Sequence, residues 1–246
     1  MDKNTFLRNK ALQNNIVVNT PSIVEEVINT KPKLDETIKE NMKKLLINLP
    51  NINRYPLEYV FENLKLTHKK DTLWLEFGVA TGTTINYFSN FTNDTVYGFD
   101  CFEGLPENWG SRFNKGFFSL NGKLPNVNKN VKLIKGLFED TLVNFLNEHK
   151  QKISFIHIDC DLYSATKFIL DTVKDKLDED CVIIFDELVN YNGYDEYDSE
   201  LHAFYNFLSE NKVDYEWIGM NGTVDKSLYD HIHHMNAALK IKSINS

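Results

Sequence analysis

Two pairs of acidic residues in the second half of the chain have the types and the spacing for chemistry. Asp159 and Asp161 follow one apolar run, and Asp186 and Glu187 follow the next. If the two runs are neighbouring strands, four carboxylates meet in one cleft and repel each other. A bound hard cation or protonation of one acid would relieve that repulsion. The alternative without chemistry is that these acids cap helices or pair with lysines.

A glycine-containing turn earlier in the chain is suited to binding a cofactor. Leu73, Trp74, Leu75 and Phe77 form a short apolar run, as a strand covered on both faces requires. Gly78 and Gly82 bracket a tight loop, and apolar residues at helical spacing follow from Thr83. A strand that turns sharply into a helix directs backbone N–H groups at whatever lies above the sheet. The stretch therefore predicts a nucleotide-type cofactor site, with a turn that binds no ligand as the alternative.

The spacing of the glycines narrows the choice of cofactor. The dinucleotide pattern G-x-G-x-x-G is not met, because Ala80 and Thr83 stand at its second and third glycine positions. The pattern present, Glu76-x-Gly78-x-x-x-Gly82, resembles motif I of the class I S-adenosylmethionine (SAM) methyltransferases. That resemblance implies that the methionine end of SAM lies over the turn, with Glu76 near its ammonium group and with Ala80 and Thr83 in the binding surface.

The next predicted strand ends in an acid that fits the same cofactor. The run 95–99 is mostly apolar and is followed by Asp100. An acid at this place can accept hydrogen bonds from both ribose hydroxyls of a nucleoside. We therefore expect Asp100 to bind the ribose, against the alternative of a surface aspartate at a strand end.

Strands and helices alternate through this part of the chain, and their order must position the acids. The predicted strands are 73–77, 95–100, 130–135, 153–159 and 181–186, with a closing hairpin-like pair at 215–219 and 237–243. The predicted helices between them are 83–91, 138–149, 165–177 and 199–208. This alternation predicts an α/β fold with a doubly wound, mostly parallel sheet. Ligands in such sheets bind at the carboxyl ends of the strands.

The residues before the first strand predict a separate helical segment. Apolar residues at helical spacing predict helices at 22–28, 34–49 and 56–66. We expect residues 1–70 to form an N-terminal cap on one edge of the sheet, with a lid or a dimer contact as alternatives. Residues 71–246 are then the catalytic domain.

Several segments, in order, resemble the macrocin/mycinamicin O-methyltransferase-like family. They are Tyr97-Gly-Phe-Asp-Cys-Phe-Glu-Gly-Leu-Pro-Glu-Asn-Trp109, 123–125, 136–142, His157-Ile-Asp-Cys-Asp-Leu-Tyr-Ser-Ala-Thr166, Ile183-Ile-Phe-Asp-Glu187 and 190–191. The resemblance covers about 73–208. It implies a seven-stranded Rossmann-like sheet of order 3-2-1-4-5-7-6 with the seventh strand antiparallel. It also implies SAM as the methyl donor and a sugar-like acceptor.

The resemblance also implies roles for individual residues. Asp159, Asp186 and Glu187 match the metal-binding acids, with Mg²⁺ as the ion. Asp161 is the candidate for a further ligand or the general base, and His157 is the reserve base. The departure from the family is Glu187, because other members carry a second aspartate there. The longer side chain either reaches the metal differently or contacts the acceptor instead.

The adenine of SAM needs a flat wall, and a base prefers aromatic or backbone surfaces. By resemblance, Phe102, Gly136 and Phe138 are the candidates for that wall. The long segment 103–128 contains Trp109 and three phenylalanines among glycines and asparagines. It is too long for a plain connection, so we expect it to cover the cofactor or the acceptor, or else to be a packed surface loop. The histidines at 231, 233 and 234 are interpreted as loop residues, since no further ligand completes a metal site.

Composition excludes several classes of function. The 246 residues are 42% hydrophobic, which is typical of a globular chain, and the net charge is −8. An acidic chain is a poor candidate for binding the phosphates of nucleic acid. Three cysteines without C-x-x-C spacing favour a reduced, cytoplasmic setting. The first residues lack the apolar core of a signal peptide, and no apolar run reaches membrane-spanning length, so no membrane partner is expected.

Together these patterns predict a SAM-dependent O-methyltransferase. The expected acceptor is the hydroxyl of a small polar molecule: a sugar, a nucleotide-linked sugar or a glycosylated metabolite, with Mg²⁺ assisting. The alternatives are a phosphorylated or nitrogen-containing acceptor, or a SAM-binding regulator or scaffold without turnover. A homo-oligomer is possible, and the sequence does not decide it.

Overall fold

The computed structural model describes residues 33–111, 113–229 and 231–244. A compact unit begins at Leu34 and contains the sheet together with the helices that directly precede it. The predicted helix at 22–28 lies outside the described residues. Residues 34–70 fall within the same compact unit as the sheet. The division of the chain at residue 70 stays a prediction.

The described helices and strands alternate as predicted. The helices are α1 (Glu36–Leu46), α2 (Pro56–Glu58, continued by a π-helical turn Tyr59–Asn63), α3 (Thr83–Phe88), α4 (Phe138–Glu148), α5 (Tyr163–Val173) and α6 (Glu200–Asn211). The strands are β1 (Thr72–Phe77), β2 (Val96–Asp100), β3 (Val131–Lys135), β4 (Lys152–Ile158), β5 (Leu177–Phe185), β6 (Val213–Met220) and β7 (Ala237–Ile244). None of the described helices is long and apolar enough to cross a membrane.

All seven strands form one sheet in the order β3-β2-β1-β4-β5-β7-β6, which confirms the predicted order. β1 to β5 run parallel, and β7 lies antiparallel between β5 and β6. In the register of the central strands, Phe77 lies beside Ile158, and Ile158 lies beside Phe185. The residues that follow β1, β4 and β5 therefore emerge together at one edge of the sheet.

The sheet buries both faces, as a doubly wound fold requires. Leu73 and Leu75 of β1 face a core that includes apolar side chains of α1, α4, α5 and α6. Trp74 faces the opposite core, which includes side chains of α2, its π-helical turn and α3. The near-continuous apolar run of β1 is explained by this burial on both sides.

β5 and the predicted helix 56–66 are among the elements that differ in extent from the sequence prediction. β5 begins at Leu177 rather than at Cys181, because residues 178–180 are polar and not fully buried, so they carry no apolar signal. The side chains of Asp178 and Asp180 there bind Lys69 and Lys242. The predicted helix 56–66 is α-helical only over Pro56–Glu58, and Asn63 ends the π-helical turn.

The segment between β2 and β3 is long and contains no helix or strand in its described residues. A single isolated bridge pairs Trp109 with Phe113. Phe113 also lies against Phe117, with ring centroids 4.3 Å apart. The segment is therefore held by its own aromatic side chains rather than by regular structure.

Candidate active site

The glycine turn after β1 is built by the close approach of three strand ends. Gly78 has a φ of +87°, and a Cβ there would overlap the carbonyl oxygen of Asp159. The Gly78 N–H donates to the Phe99 carbonyl at 2.9 Å, and the Asp159 N–H donates to the Phe77 carbonyl at 2.8 Å. Only glycine fits this position, because both the conformation and the space exclude a side chain.

Asp100 organises the same turn from the end of β2. Its Oδ2 accepts hydrogen bonds from the backbone N–H groups of Val79 and Ala80, at 2.9 and 2.7 Å. Its Oδ1 accepts one from the N–H of Phe102 at 2.6 Å. Ala80 adopts a φ of +42° and Gly82 a φ of +80°, so the chain coils around the carboxylate before α3 begins. A carboxylate has about four lone-pair sites, so Asp100 keeps capacity for a further donor.

The three residues predicted to form the adenine wall follow β2 and β3 and lie in different settings. The Gly136 N–H donates to the backbone carbonyl of Asp100 at 3.1 Å. The half-buried ring of Phe138 packs edge-on against Phe77, with centroids 5.5 Å apart. The ring of Phe102 is buried in the core on the α3 side, so only Phe138 has an accessible ring.

A fully buried line of polar side chains crosses β1, β4 and the end of β5. His157 Nδ1 lies 2.8 Å from Glu76 Oε1, and His157 Nε2 lies 3.6 Å from Asp186 Oδ1. None of the three side chains has any exposed surface. Burial raises the pKa of Glu76, and the contact with His157 opposes that rise. The imidazole therefore links the predicted cofactor acid to a predicted metal ligand.

The acids at the ends of β4 and β5 meet in two groups rather than as the predicted four, and among the described residues no group holds both Asp186 and Glu187. Ligand atoms of Asp159, Asp161 and Glu187 all lie within 4.8 Å of one another. Ligand atoms of His157, Asp159 and Asp186 do the same. Asp159 belongs to both groups and is the most exposed of the four acids. Each spacing is one that a single metal ion could bridge.

Asp186 is held by two residues that the sequence did not single out. Its Oδ1 accepts hydrogen bonds from the Tyr55 hydroxyl and from Asn236 Nδ2, both at 2.8 Å. The same Asn236 amide donates to the Asp186 backbone carbonyl at 2.6 Å. Tyr55 directly precedes α2 and Asn236 directly precedes β7. No local pattern marks either residue, since each reaches Asp186 only through the tertiary fold.

Glu200, in the first turn of α6, is a second residue that sequence reasoning missed. It is fully buried, and its Oε1 accepts a hydrogen bond from the Thr166 hydroxyl at 3.1 Å. Burial, and then the nearby Asp161 carboxylate, raise the pKa of Glu200 well above its ordinary value. An acid just after a serine N-cap is typical of an exposed helix start, so the sequence gives no signal of this burial.

The aromatic segment between β2 and β3 packs against the loop after β5 and contacts the start of α5. Trp109 is almost fully buried, and its ring lies 5.5 Å from that of Tyr191 in the loop after β5. The Ser164 hydroxyl at the start of α5 donates to Glu107 Oε1 at 2.5 Å. The histidines at 231, 233 and 234 belong to neither group of potential ligands among the described residues.

One family model matches the part of the chain that holds this site. Residues 75–188, which include the glycine turn, Asp100 and both pairs of acids, match the family model of the methyltransferase domain. The match covers somewhat less than half of the chain. The predicted class of enzyme is thereby confirmed, while the macrocin/mycinamicin-like family stays a prediction. None of the curated proteins is significantly similar in sequence.

Solved methyltransferase structures are similar to the chain at low identity. The calicheamicin methyltransferase CalS11 is 18% identical, with 90% of this chain and 99% of that chain covered and a TM-score of 0.47. An O-methyltransferase from Bacillus cereus is 15% identical, with 89% and 94% covered and a TM-score of 0.47. A putative O-methyltransferase from Klebsiella pneumoniae is 12% identical, with 96% of each chain covered and a TM-score of 0.47. At these sequence identities and TM-scores, the similarity supports no conclusion about function.

Proposed function

We propose that the protein is a SAM-dependent O-methyltransferase that methylates a hydroxyl of a small polar acceptor, a sugar or a sugar-bearing metabolite, with Mg²⁺ at the acid cluster. The observation that carries this proposal is the meeting of Asp159, Asp161 and Glu187 directly beside the glycine turn of a methyltransferase domain. A cytoplasmic setting and a homo-oligomer stay predictions.

The turn after β1 supports SAM as the donor. Asp100 already orders the backbone of Val79 and Ala80, so the turn is preformed beside an acid that can accept ribose hydroxyls. Glu76 Oε2 is buried without a hydrogen-bond partner among the described residues. A buried carboxylate oxygen of this kind is suited to receive the ammonium group of the methionine end.

The acid cluster fits a hard cation by the chemistry of its donors. Carboxylate oxygens are the ligands that Mg²⁺ prefers, and burying carboxylates is costly unless they are paired or coordinate a metal. Asp161, Asp186 and Glu187 are each more than nine-tenths buried. Asp159 belongs to both groups, so Mg²⁺ bound by Asp159 together with either Glu187 or Asp186 would lower the pKa of the acceptor hydroxyl and fix its direction.

The remaining steps of methyl transfer are assigned to side chains of the protein. Methyl transfer is an in-line displacement at the sulfonium, so the main tasks are to align donor and acceptor and to exclude water. Asp161 is the proposed acceptor of the hydroxyl proton, because it lies within the cluster that contains Asp159 and Glu187. Both ring nitrogens of His157 face carboxylates, Nδ1 at 2.8 Å from Glu76 and Nε2 at 3.6 Å from Asp186, so we assign His157 to holding those two carboxylates rather than to proton abstraction.

Radiolabelled SAM and a panel of acceptors test this proposal. We expect label transfer to a hydroxyl of sugars, nucleotide-linked sugars or glycosides, and none when Asp186→Ala replaces the wild type. Asp178→Ala is the control, since Asp178 lies in β5, the strand that Asp186 follows, and its carboxylate accepts from the Lys69 side chain at 2.7 Å. Transfer only to phosphorylated or nitrogen-containing acceptors would show that the proposed class of acceptor, a sugar hydroxyl, is wrong. SAM binding by calorimetry without transfer to any acceptor would indicate a regulator or scaffold.

A further inference from the structure

The loop that joins β4 to α5 carries the acids on one side and a cysteine on the other. Asp159 and Asp161 flank Cys160, and their carboxylates lie close to that of Glu187. The Cys160 thiol instead contacts the Thr166 hydroxyl at 3.3 Å and Glu200 Oε1 at 3.8 Å. The loop therefore presents alternate side chains to the acid cluster and to the protein interior.

The backbone of this loop adopts a strained conformation at Asp161, which contacts with the surrounding structure must stabilise. Asp161 has a φ of +64°, a conformation that costs free energy for a residue with a side chain. The Leu162 N–H donates to the Cys160 carbonyl at 2.7 Å, which makes the turn very tight. Such a conformation persists only where the surrounding structure holds it. The inward-facing Cys160 is the residue through which it can be held.

Glu200 lies where it can hold the loop that carries Asp159 and Asp161. Its Oε1 accepts from the Thr166 hydroxyl of α5 and from the Cys160 thiol, so it connects α6 to that loop. A polar group that is fully buried is retained at a cost unless its hydrogen bonds are made. These hydrogen bonds indicate that the buried carboxyl group of Glu200 supports the loop beside the acid cluster.

We propose that Glu200 is a positioning residue for the acid cluster: by accepting hydrogen bonds from Thr166 and Cys160, it fixes the spacing of Asp159, Asp161 and Glu187 and so sets the affinity for a divalent cation. This inference rests on the cation of the proposed function. Residues that orient metal ligands without touching the metal typically change its affinity about 10–100-fold when they are replaced.

Direct titration of the full-length, metal-free protein with Mn²⁺ tests the proposal, with free Mn²⁺ followed by electron paramagnetic resonance. Glu200→Ala removes the acceptor oxygen, and we expect it to weaken Mn²⁺ binding at least about tenfold. Glu200→Gln keeps an oxygen acceptor in the same place, so we expect affinity within about threefold of the wild type. Glu210→Ala is the matched control, because Glu210 lies at the exposed end of α6 and binds Lys167.

The outcomes separate the positioning role of Glu200 from the proposed cation site. Wild-type affinity in Glu200→Ala would overturn the positioning role and leave the proposed cation in place. Equal weakening in Glu200→Gln and Glu200→Ala would also overturn it, since the carboxylate charge would then matter rather than the acceptor oxygen. Absence of Mn²⁺ binding in the wild type would overturn the cation site and this inference together. If circular dichroism shows that Glu200→Ala is unfolded, Thr166→Val takes its place: weakened binding supports the proposal and unchanged binding overturns it.

Discussion

Replacing Asp100 by alanine tests the glycine turn more sharply than any other single change. The carboxylate accepts backbone hydrogen bonds from Val79, Ala80 and Phe102, at 2.9, 2.7 and 2.6 Å. Alanine leaves these N–H groups without their acceptor and removes the proposed partner of the ribose. The variant should therefore lose stability and cofactor affinity together, because one carboxylate serves both.

The expected size of both effects follows from these contacts. A hydrogen bond to a charged group contributes about 1.5–3 kcal/mol, and bonds that share one acceptor are not additive. With water available to part of the turn, we expect a loss of about 3 kcal/mol in the free energy of unfolding. For a chain of this size that corresponds to a fall of roughly 6–12 °C in Tm. Loss of the ribose contacts should weaken S-adenosylhomocysteine binding by about tenfold to a hundredfold.

Thermal unfolding followed by circular dichroism and calorimetric titration with S-adenosylhomocysteine measure the two effects on Asp100→Ala. Asp178→Ala is the control, because its carboxylate binds the Lys69 ammonium at 2.7 Å near the surface. A surface ion pair contributes at most about 1 kcal/mol, so the control should melt close to the wild type. If Asp100→Ala kept both the wild-type Tm and the wild-type affinity, the role of Asp100 in the turn would be refuted.

Three further predictions follow from the site. Gly78→Ala should destabilise the protein by several kcal/mol in thermal unfolding, because its Cβ would overlap the carbonyl oxygen of Asp159. Tyr55→Phe should weaken Mn²⁺ binding about tenfold in a direct titration, because it removes one hydrogen bond that orients Asp186. With Ellman's reagent at pH 8, only Cys101 should react in the native protein, and slowly: burial raises the pKa of its thiol, and the other two cysteines are buried.

Each of these has its own control and its own contradicting result. Gly193→Ala has a positive φ with open space around it, so it should cost only about 1 kcal/mol; equal losses in the two glycine variants would argue against the packing explanation. Tyr59→Phe, in the turn after α2, should keep wild-type Mn²⁺ affinity, and a Tyr55 variant that also kept it would remove Tyr55 from the site. Cys101→Ser should abolish the native thiol reaction, whereas all three cysteines of the wild type should react in guanidinium.

The sequence predicted the fold well because most of its elements have a local cause. The strand β1 is an apolar run, and the glycine turn after it is marked by Gly78, whose close approach to Asp159 excludes other residues. The strand order, by contrast, came from resemblance to a family, since periodicity does not decide which strands are neighbours. The start of β5 was missed because residues 178–180 are polar. The π-helical turn after α2 was predicted as α-helix, because its buried Val60 and Phe61 continue an apolar pattern that does not separate the two kinds of helix.

The candidate site was predicted only where it follows the ends of parallel strands. Asp159 and Asp186 lie together because β4 and β5 are adjacent and parallel, and that much can be inferred from an acid after each apolar run. Tyr55, Asn236 and Glu200 could not be found in this way. They approach from an N-terminal loop, from the start of β7 and from the first turn of α6, and only the folded chain brings them to the acids.

The measurement that tests the central claim most directly is methyl transfer by enzyme shown to be free of metal. With labelled SAM and an acceptor from the panel, we predict no transfer in excess EDTA and full recovery when Mg²⁺ is restored, since the proposed cation binds at Asp159 and its neighbouring acids beside the glycine turn. Full activity of the metal-free enzyme in excess EDTA would contradict the account and leave Asp161 as a simple base.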